Sequence, residues 1–516
     1  MSETSCAPLP PHTNNFSKDD IKTYAHLDGI VTLTQANRLD LSPQKVSQWK
    51  FKPLLRYRNE WRRPKRRVRV WEPVEQTVVW EEVDQKKKSR PISYACHKDS
   101  LLFKYYREKL YPIYESRLQQ DGISESVVAY RRIPKANGNG NKSNIEIAND
   151  AFEKISELAT CCTVAMDISD YFGSIDHSQL FNEVKEILSL DKLPNDWRKL
   201  LKNLTKFRFI ELDEALLYLG YAERGRKGRL RYTRRPRRIP KRLCTLEQYR
   251  GMVEADLVEA ERDDAGNYKT CGIPQGTPIS DILANLYLRK IDILLRDYAL
   301  KKGGFYFRYS DDLMLIFPGD GRAARNAETY VKRSLSEYDK GLKVNRKKTE
   351  IAVFKDGVAS YTLHNVTGSK RRVRNNSTPG ASYLGFKFDG KYVYLRNSTV
   401  TNLRRKVNFR SRKHARTYFK RYSEKPTEWL LTNYDDADLK AKFLQMRRDK
   451  PKPQASDEDE DSQDDIERNF YSYLKRAEGA FPKFETRFRK QVAWVKPYSI
   501  ECAYDRLNNL IMKRDQ

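Results

Sequence analysis

The chain has 516 residues, 39% of them hydrophobic, enough for more than one core. Its 99 Lys and Arg stand against 69 Asp and Glu, a net charge of +30, and the mean hydropathy is −0.81. No apolar run is long enough to span a bilayer and the first residues hold no apolar targeting core, so a soluble, cytoplasmic protein with no membrane partner is expected. The surplus of cations points to a polyanion, and nucleic acid is favoured because no basic amphipathic helix has a clean apolar face. Seven irregularly spaced cysteines without a C-x-x-C pair, with six scattered histidines, give no zinc pattern and fit reduced thiols.

Residues 1–49 read as a poorly structured lead followed by a short helical stretch. Lys50–Val70 holds ten Lys/Arg and one acid, with Phe51, Tyr57 and Trp61 among them. Such rings can stack on bases while the cations meet phosphates, or the stretch is a solvated basic arm. The spacing predicts a helix over Ser100–Leu118, a strand over Ser126–Ile133, a Gly/Asn-rich turn over Pro134–Asn144 carrying Lys142, then a helix. Cys161–Ser169 is a short β-rich run and His177–Leu190 a helix. Arg224–Arg242 holds eleven Lys/Arg and no acid, is broken by Gly and Pro, and reads as an inserted loop. Ser280–Ala299 is an amphipathic helix with Ser280 as its N-cap. Ala323–Lys340 is a helix, and Ser382–Leu395 a hairpin turning at Asp389–Gly390. After Val400 the chain is mostly helical, interrupted by the acidic tract Ser456–Asp465, read as a disordered linker.

Asp311 and Asp312 sit side by side between the apolar runs of Phe307–Phe317. The pair is a solvated hairpin tip or a functional site. Asp167 lies near the end of the run Cys161–Ser169, as a helix cap or as a carboxylate aimed into a cleft. Phosphodiester synthesis needs divalent metal on hard oxygen ligands, and a strand-end Asp beside a hairpin-tip pair can provide them. Between them, GIPQGTPIS (Gly272–Ser280) is a tightly shaped loop entering a helix. It is a rigid connection, or a backbone that lets a nucleobase or sugar come close.

The order of these segments resembles that of reverse transcriptases. DISDYF (Asp167–Phe172) resembles the first palm motif, GIPQGTPIS the second, and YSDD (Tyr309–Asp312) the Y-x-D-D signature. GLKVNRKKTEI (Gly341–Ile351) resembles the next motif, with its Lys-Thr pair at Lys348–Thr349, and YLGFKF (Tyr383–Phe388) the primer grip. Upstream, Arg90–Ser100 and Ala129–Arg131 resemble fingers motifs of bacterial enzymes. The resemblance covers about 90–420 and implies an α+β, right-hand polymerase. Its parts would be an N-terminal basic extension over 1–89, fingers over 90–160, and a palm of antiparallel sheet plus helices over 161–395. A basic insertion at about 220–269 interrupts the palm, and a helical thumb and C-terminal region occupy 396–516.

The activity implied is RNA-directed DNA synthesis. By resemblance, Asp167, Asp311 and Asp312 are catalytic and, with the carbonyl of Ile168, hold two Mg²⁺ ions, Mn²⁺ being the alternative. Arg131 and Lys142 would meet the incoming triphosphate, and Phe172 would be a sugar gate against the ribose 2′-OH. Gln275 and Gly276 would lie along nucleotide or template, and Lys348 would protonate the pyrophosphate or stabilise its charge. Tyr309 would pack near the primer end and Leu384–Gly385 would touch the primer backbone. The partners implied are an RNA template or a dedicated non-coding RNA, deoxynucleoside triphosphates and a DNA product. The distance from Asp167 to Gly272 is long for a compact palm, and the basic insertion accounts for it. No acid set for an appended RNase H and no Cys/His-rich nuclease module stands out. The fingers segments and bare architecture are most similar to bacterial defence-associated, antiphage reverse transcriptases outside the retron and group II intron groups. A retron-like or mobile-element enzyme, and a non-catalytic RNA-binding scaffold on a polymerase palm, are the alternatives.

Overall fold

The computed structural model describes residues 14–61, 66–72, 77–83, 88–138, 140–225, 228, 230–233, 239–346, 348–364, 372–373, 378–435 and 470–516. The acidic tract Ser456–Asp465 lies outside the described residues. The fold is α+β. Numbered along the chain, the strands are β1 Leu54–Trp61, β2 Arg66–Glu72, β3 Thr77–Val83, β4 Lys88–Tyr94, β5 Cys161–Asp167, β6 Arg208–Glu211, β7 Ala222–Arg224, β8 Leu230–Tyr232 and β9 Glu259–Ala260. They continue with β10 Phe305–Tyr309, β11 Asp312–Phe317, β12 Glu350–Lys355, β13 Val358–His364, β14 Arg372–Val373, β15 Ala381–Tyr383, β16 Phe386–Phe388, β17 Tyr392–Leu395 and β18 Glu485–Thr486. The chain divides into two compact units, the first made of Met1–Tyr130, Ile168–Leu294 and Arg333–Lys343, the second of Arg131–Asp167, Leu295–Lys332 and Val344–Gln516.

In the first unit a sheet runs in the order β4-β1-β6-β9. Period-two alternation along β1 sends Leu55 into a core with Leu27, Ile210, Leu216, Ala222, Leu243 and Met252. Arg56 turns to the other face, 3.3 Å over the Phe209 ring, and pairs with Glu211 at 2.8 Å and Glu261 at 2.5 Å. That pairing is what lets a guanidinium be buried there. The β2–β3 hairpin is antiparallel.

Several expectations are corrected in this unit. The expected short helical stretch is present as two helices, Leu33–Asn37 and Pro43–Ser47, and residues 1–13 of the expected lead lie outside the described residues, but 14–49 are no loose lead: Phe16, Leu27, Val31, Ala36, Leu41 and Val46 are all buried. Their apolar residues are too sparse for a periodic signal, and polar locks replace it. Asp28 Oδ1 accepts from the His97 backbone at 3.1 Å and its ring at 2.6 Å. Trp49 Nε1 and the Lys52 amide donate to Asp99 at 2.8 and 3.0 Å. Phe51 does not face a base; it is buried and stacks on Phe103 at 5.6 Å. Ser280 is not the N-cap of its helix: Ile279 is, and the Ser280 hydroxyl instead bonds Thr277 and the Pro274 carbonyl, closing the preceding loop. The expected helix Ser280–Ala299 is two helices, Ser280–Tyr287 and Arg289–Lys301. The segment Arg224–Arg242 is no plain loop, because β7 and β8 pair in it, Ala222 opposite Tyr232.

In the second unit an antiparallel sheet runs β10-β11-β5-β12-β13-β14. β5 and β11 are both inner strands of it, and their near-continuous burial explains why they read as unbroken apolar runs. The helix Asn144–Leu158, capped by Ser143 and Glu146, packs on β5 and β11. A second sheet, β15-β16-β17-β18, turns at Asp389–Gly390 as expected. The helix Asn397–Tyr422 buries Leu403, Val407 and Ala415 against Leu507 and Ile511 of Val495–Asp515. The expected strand Ser126–Ile133, at the junction of the units in sequence, does not form. Its amides bond back to Ile123, and the Ala129 carbonyl accepts from Asn285 at 2.6 Å, so no ladder is available.

Candidate active site

Three carboxylates gather at one end of the β10-β11-β5 row. β11 lies antiparallel to β5 with Asp312 opposite Asp167, and antiparallel to β10 with Asp312 opposite Tyr309. Asp311 occupies the turn between β10 and β11. β11 is buried on both faces, with Leu313, Leu315 and Phe317 on one and Met314 and Ile316 on the other, so it is held as an inner strand with its acidic end at Asp312. Ser310 adopts φ 59°, in the left-handed region that non-glycine residues avoid by about 1 kcal/mol. Arg308 holds this turn from below: its side chain is fully buried, and Nη1 donates to the Ser310 carbonyl at 3.2 Å.

The electrostatics are those of a crowded acidic centre. Burial first, then the charges of Asp311 and Asp167, push the Asp312 carboxyl up to about 6, while Lys348 and Arg396 pull it down. Lys348 Nζ forms an ion pair with Asp167 Oδ2, and the Asn345 amide donates to the Asp167 carbonyl at 2.7 Å. Asp167 is buried whereas Lys348 is exposed. Tyr383 is buried beside the centre; burial and then Asp312 hold its phenol well above its ordinary value, and among the described residues its Oη has no hydrogen-bond partner.

Among the described residues no three His, Cys, Asp or Glu side chains form a ready metal cage. The donor set nevertheless fits Mg²⁺ or Mn²⁺: three hard carboxylates from two adjoining strand ends and the turn beside them, where burial and then the two neighbouring charges raise the Asp312 carboxyl. Lys348 on Asp167 supplies part of the positive charge the cluster needs. A divalent cation would have to compete with that ammonium.

The other expected site residues fall in two groups. The second unit holds Asp167, Asp311, Asp312, Tyr309, Lys348, Arg131, Lys142, Leu384 and Gly385. Within it, the structure brings together the aspartates, Tyr309 and Lys348. Arg131 is half-buried, and Lys142 Nζ pairs with Asp150 at 2.6 Å, so its charge is already engaged. Leu384 and Gly385 form the β15–β16 turn, at φ 45° and 97°, tied by Asn144 to the Leu384 carbonyl and by the Arg396 amide to the Gly385 carbonyl. Ile168, Phe172, Gln275 and Gly276 belong to the first unit. There Ile168 is buried, Phe172 is half-buried, and its carbonyl accepts from the Ile273 amide at 2.9 Å. The Gln275 carbonyl accepts from Ser93 of β4 at 2.8 Å. Gly276 has φ 119°, and a Cβ there would lie 2.7 Å from the Ser93 carbonyl, so only glycine fits.

Sequence reasoning missed Arg308, Tyr383 Oη and Arg396 as parts of this centre. Arg308 carried a readable signal, a lone cation inside the apolar run Phe305–Tyr309. Arg396 carried none, since nothing local links it to Asp312.

Residues 231–388 match the family model described as "Reverse transcriptase (RNA-dependent DNA polymerase)". That span includes the 272–280 loop, Asp311–Asp312, Lys348 and Tyr383–Phe388, and begins after Asp167. The chain is 38% identical over 80 residues to the retron Ec86 reverse transcriptase of Escherichia coli, 16% of this chain and 24% of that protein, so it spans about a quarter of this curated relative. Among solved structures it is similar to a truncated apo telomerase from Candida tropicalis, with TM-score 0.32 and 10% identity over 63% of this chain and 55% of that one. It is also similar to a Candida albicans telomerase in complex with a telomeric RNA fragment, with TM-score 0.33 and 10% identity over 90% of this chain and 60% of that one.

Proposed function

We propose that this protein is an RNA-directed DNA polymerase whose chemistry is carried by Asp167, Asp311 and Asp312. The observation that supports this most is the pairing of Asp167 with Asp312 at adjoining strand ends, with Asp311 on the turn beside them, inside a chain whose residues 231–388 match a reverse transcriptase model. Bound divalent metal would activate the primer 3′-hydroxyl and neutralise the departing pyrophosphate. The three aspartates would hold it, and Lys348, released from Asp167, would meet the pyrophosphate charge. Phe172 would exclude a ribose 2′-OH, Arg131 and Lys142 would bind triphosphate, and Leu384–Gly385 would touch the primer backbone. In this reading the β10–β14 sheet with β5 is the palm, and the helix Asn397–Tyr422 belongs to the thumb.

Asp167→Ala and Asp311→Ala should each abolish deoxynucleotide incorporation by the purified chain in Mg²⁺ while leaving thermal unfolding and RNA binding intact. Undiminished extension by either variant would sink the assignment. Phe172→Ala should raise ribonucleotide use relative to deoxynucleotide use, and a wild type that already uses both sugars equally would remove the gate.

For the biological role we infer antiphage defence with a dedicated non-coding RNA, on the resemblance of the fingers motifs. The 80-residue likeness to a retron enzyme favours a second reading, a retron-like enzyme. Sequencing the RNA and any cDNA that copurify separates them: a cDNA joined to its own structured RNA supports the retron reading, and its absence supports the first.

A further inference from the structure

Two stretches marked by their cations, Lys50–Val70 and Arg224–Arg242, play no part in the chemistry proposed above. Both belong to the first unit, and its core brings them to one surface. Leu55 of β1 is buried in that core, and Tyr94, Tyr221, Leu230 and Ile239 pack partly buried around it. Two residues beyond Leu55, on the same face of β1, stands Tyr57; two residues beyond Leu230, on the same face of β8, stands Tyr232. At 41% and 44% exposure, both rings reach water from the rim of one apolar cluster. Tyr94 connects them. Its ring lies 6.1 Å from that of Tyr57, and burial and then Tyr24, Tyr57 and Tyr232 together raise its phenol.

The hairpin is held there firmly. Tyr232 pairs with the buried Ala222, and Thr233 bonds the carbonyls of Tyr221 and Gly220 at 3.0 and 2.8 Å. The returning chain forms a parallel bridge between Arg242 and His26, with the His26 amide donating to Lys241 and the Leu243 amide to His26, at 2.9 and 2.8 Å. Cations surround the pair. Arg90 lies opposite Asn59 on the Tyr57 face of the sheet, and exposed Lys52 and Arg242 both lower the Cys244 thiol that burial raises, in the same cluster.

We infer that Tyr57 and Tyr232, with the cations around them, form a stacking platform for single-stranded RNA. Two exposed rings on a rigid base give faces that any base can stack on, at a small entropy penalty because Tyr has only two side-chain torsions. The cations meet the phosphates and supply salt-dependent affinity. Both rings carry a hydroxyl, a partner for the 2′-OH that DNA lacks. The platform goes beyond the polymerase reading, since it would hold RNA whether or not the chain extends a primer.

The test is binding of a fluorescently labelled, unstructured single-stranded RNA to the full chain, without nucleotides, followed by anisotropy across a salt series. Tyr57→Ala with Tyr232→Ala should weaken binding about tenfold or more with the salt slope unchanged, because stacking is lost and phosphate contacts remain. The double Tyr→Phe variant should keep most of that affinity and lose the preference over DNA of the same sequence. RNA carrying 4-thiouridine should crosslink to the peptides holding Tyr57 and Tyr232. An unchanged affinity in the double alanine variant, or crosslinks confined to other peptides, would overturn the platform. Equal binding of DNA by the wild type would overturn the RNA assignment, and competition by oligo-glutamate at concentrations where sodium chloride of equal ionic strength does not compete would point to an acidic protein partner instead. A short primer–template should be extended normally by the double alanine variant, so failure of the platform and failure of the polymerase reading are told apart.

Discussion

Asp312 shows how the centre trades stability for chemistry. Its carboxyl rises from 3.8 to about 6 because burial and two neighbouring aspartates disfavour the charge. The folded chain therefore keeps a proton that the unfolded chain releases between about pH 4 and 6, and stability falls as the pH rises through that window. Asp312→Asn should then be more stable than the wild type in metal-free buffer at pH 8, by about 1–2 kcal/mol after allowance for partial exposure. Urea unfolding of both at pH 4 and pH 8 checks this: the gap should close at pH 4 and, for the wild type, shrink when Mg²⁺ is added at pH 8. A constant gap would mean that the repulsion is not the cause. At this scale the three aspartates, Tyr309 and Lys348 were legible, because each sits in a short motif with chemical meaning. Arg308 was missed although it stands as a lone cation in an apolar run, and Tyr383 was not legible, since its place beside Asp312 comes from burial that neighbouring letters do not show.

Among the elements, the helix Asn397–Tyr422 divides its faces cleanly. Leu403, Val407, Ser411 and Ala415 are buried on one side. Arg405, Phe409, Arg412 and Arg416 recur at helical spacing on the opposite side, all exposed, with Phe409 at 69%. Arg404 is different, lying 4.5 Å over the Tyr498 ring. Replacing Arg405, Arg412 and Arg416 with Gln should shorten products on a long template several-fold while sparing addition of the first nucleotide. Equal loss of both would show that this face does not hold the duplex. The N-terminal segment makes a second case. Burial raises the Asp28 carboxyl, but hydrogen bonds from the ring and backbone of His97 outweigh it and hold the group below its ordinary value. That stability is present above about pH 4 and lost as the pH falls through the lowered value. Asp28→Ala should destabilise the first unit by about 1–3 kcal/mol, measured by urea unfolding at pH 7, because it leaves the buried ring and backbone amide of His97 without their acceptor. A change within experimental error would return 14–49 to the loose lead that its composition suggested. Helices with strong periodicity were readable from sequence. This segment and Ser126–Ile133 were not, because tertiary hydrogen bonds accepted by Asp28 and Asp99 and donated by Asn285 decide their conformation.

For the whole molecule, the charge of +30 and the ordered motifs pointed to nucleic acid and to a palm-like sheet, and the antiparallel order β10-β11-β5-β12 puts Asp167, Tyr309 and Asp312 on strands of one sheet with Asp311 on the turn between two of them. What composition concealed is that both basic stretches near the N-terminal half build structure as well as carry charge: β1 enters a core, and β7–β8 is fastened to it. Among the described residues no helix is long and apolar enough to cross a membrane. The central claim is that this chain copies RNA into DNA at Asp167, Asp311 and Asp312. It is tested most directly by supplying the purified chain with an RNA template of defined mixed sequence, a DNA primer, the four deoxynucleoside triphosphates and Mg²⁺, and sequencing the product. The account predicts DNA complementary to the template from the wild type and none from Asp311→Ala. Product unrelated to the template, or complementary DNA from both proteins alike, would contradict it.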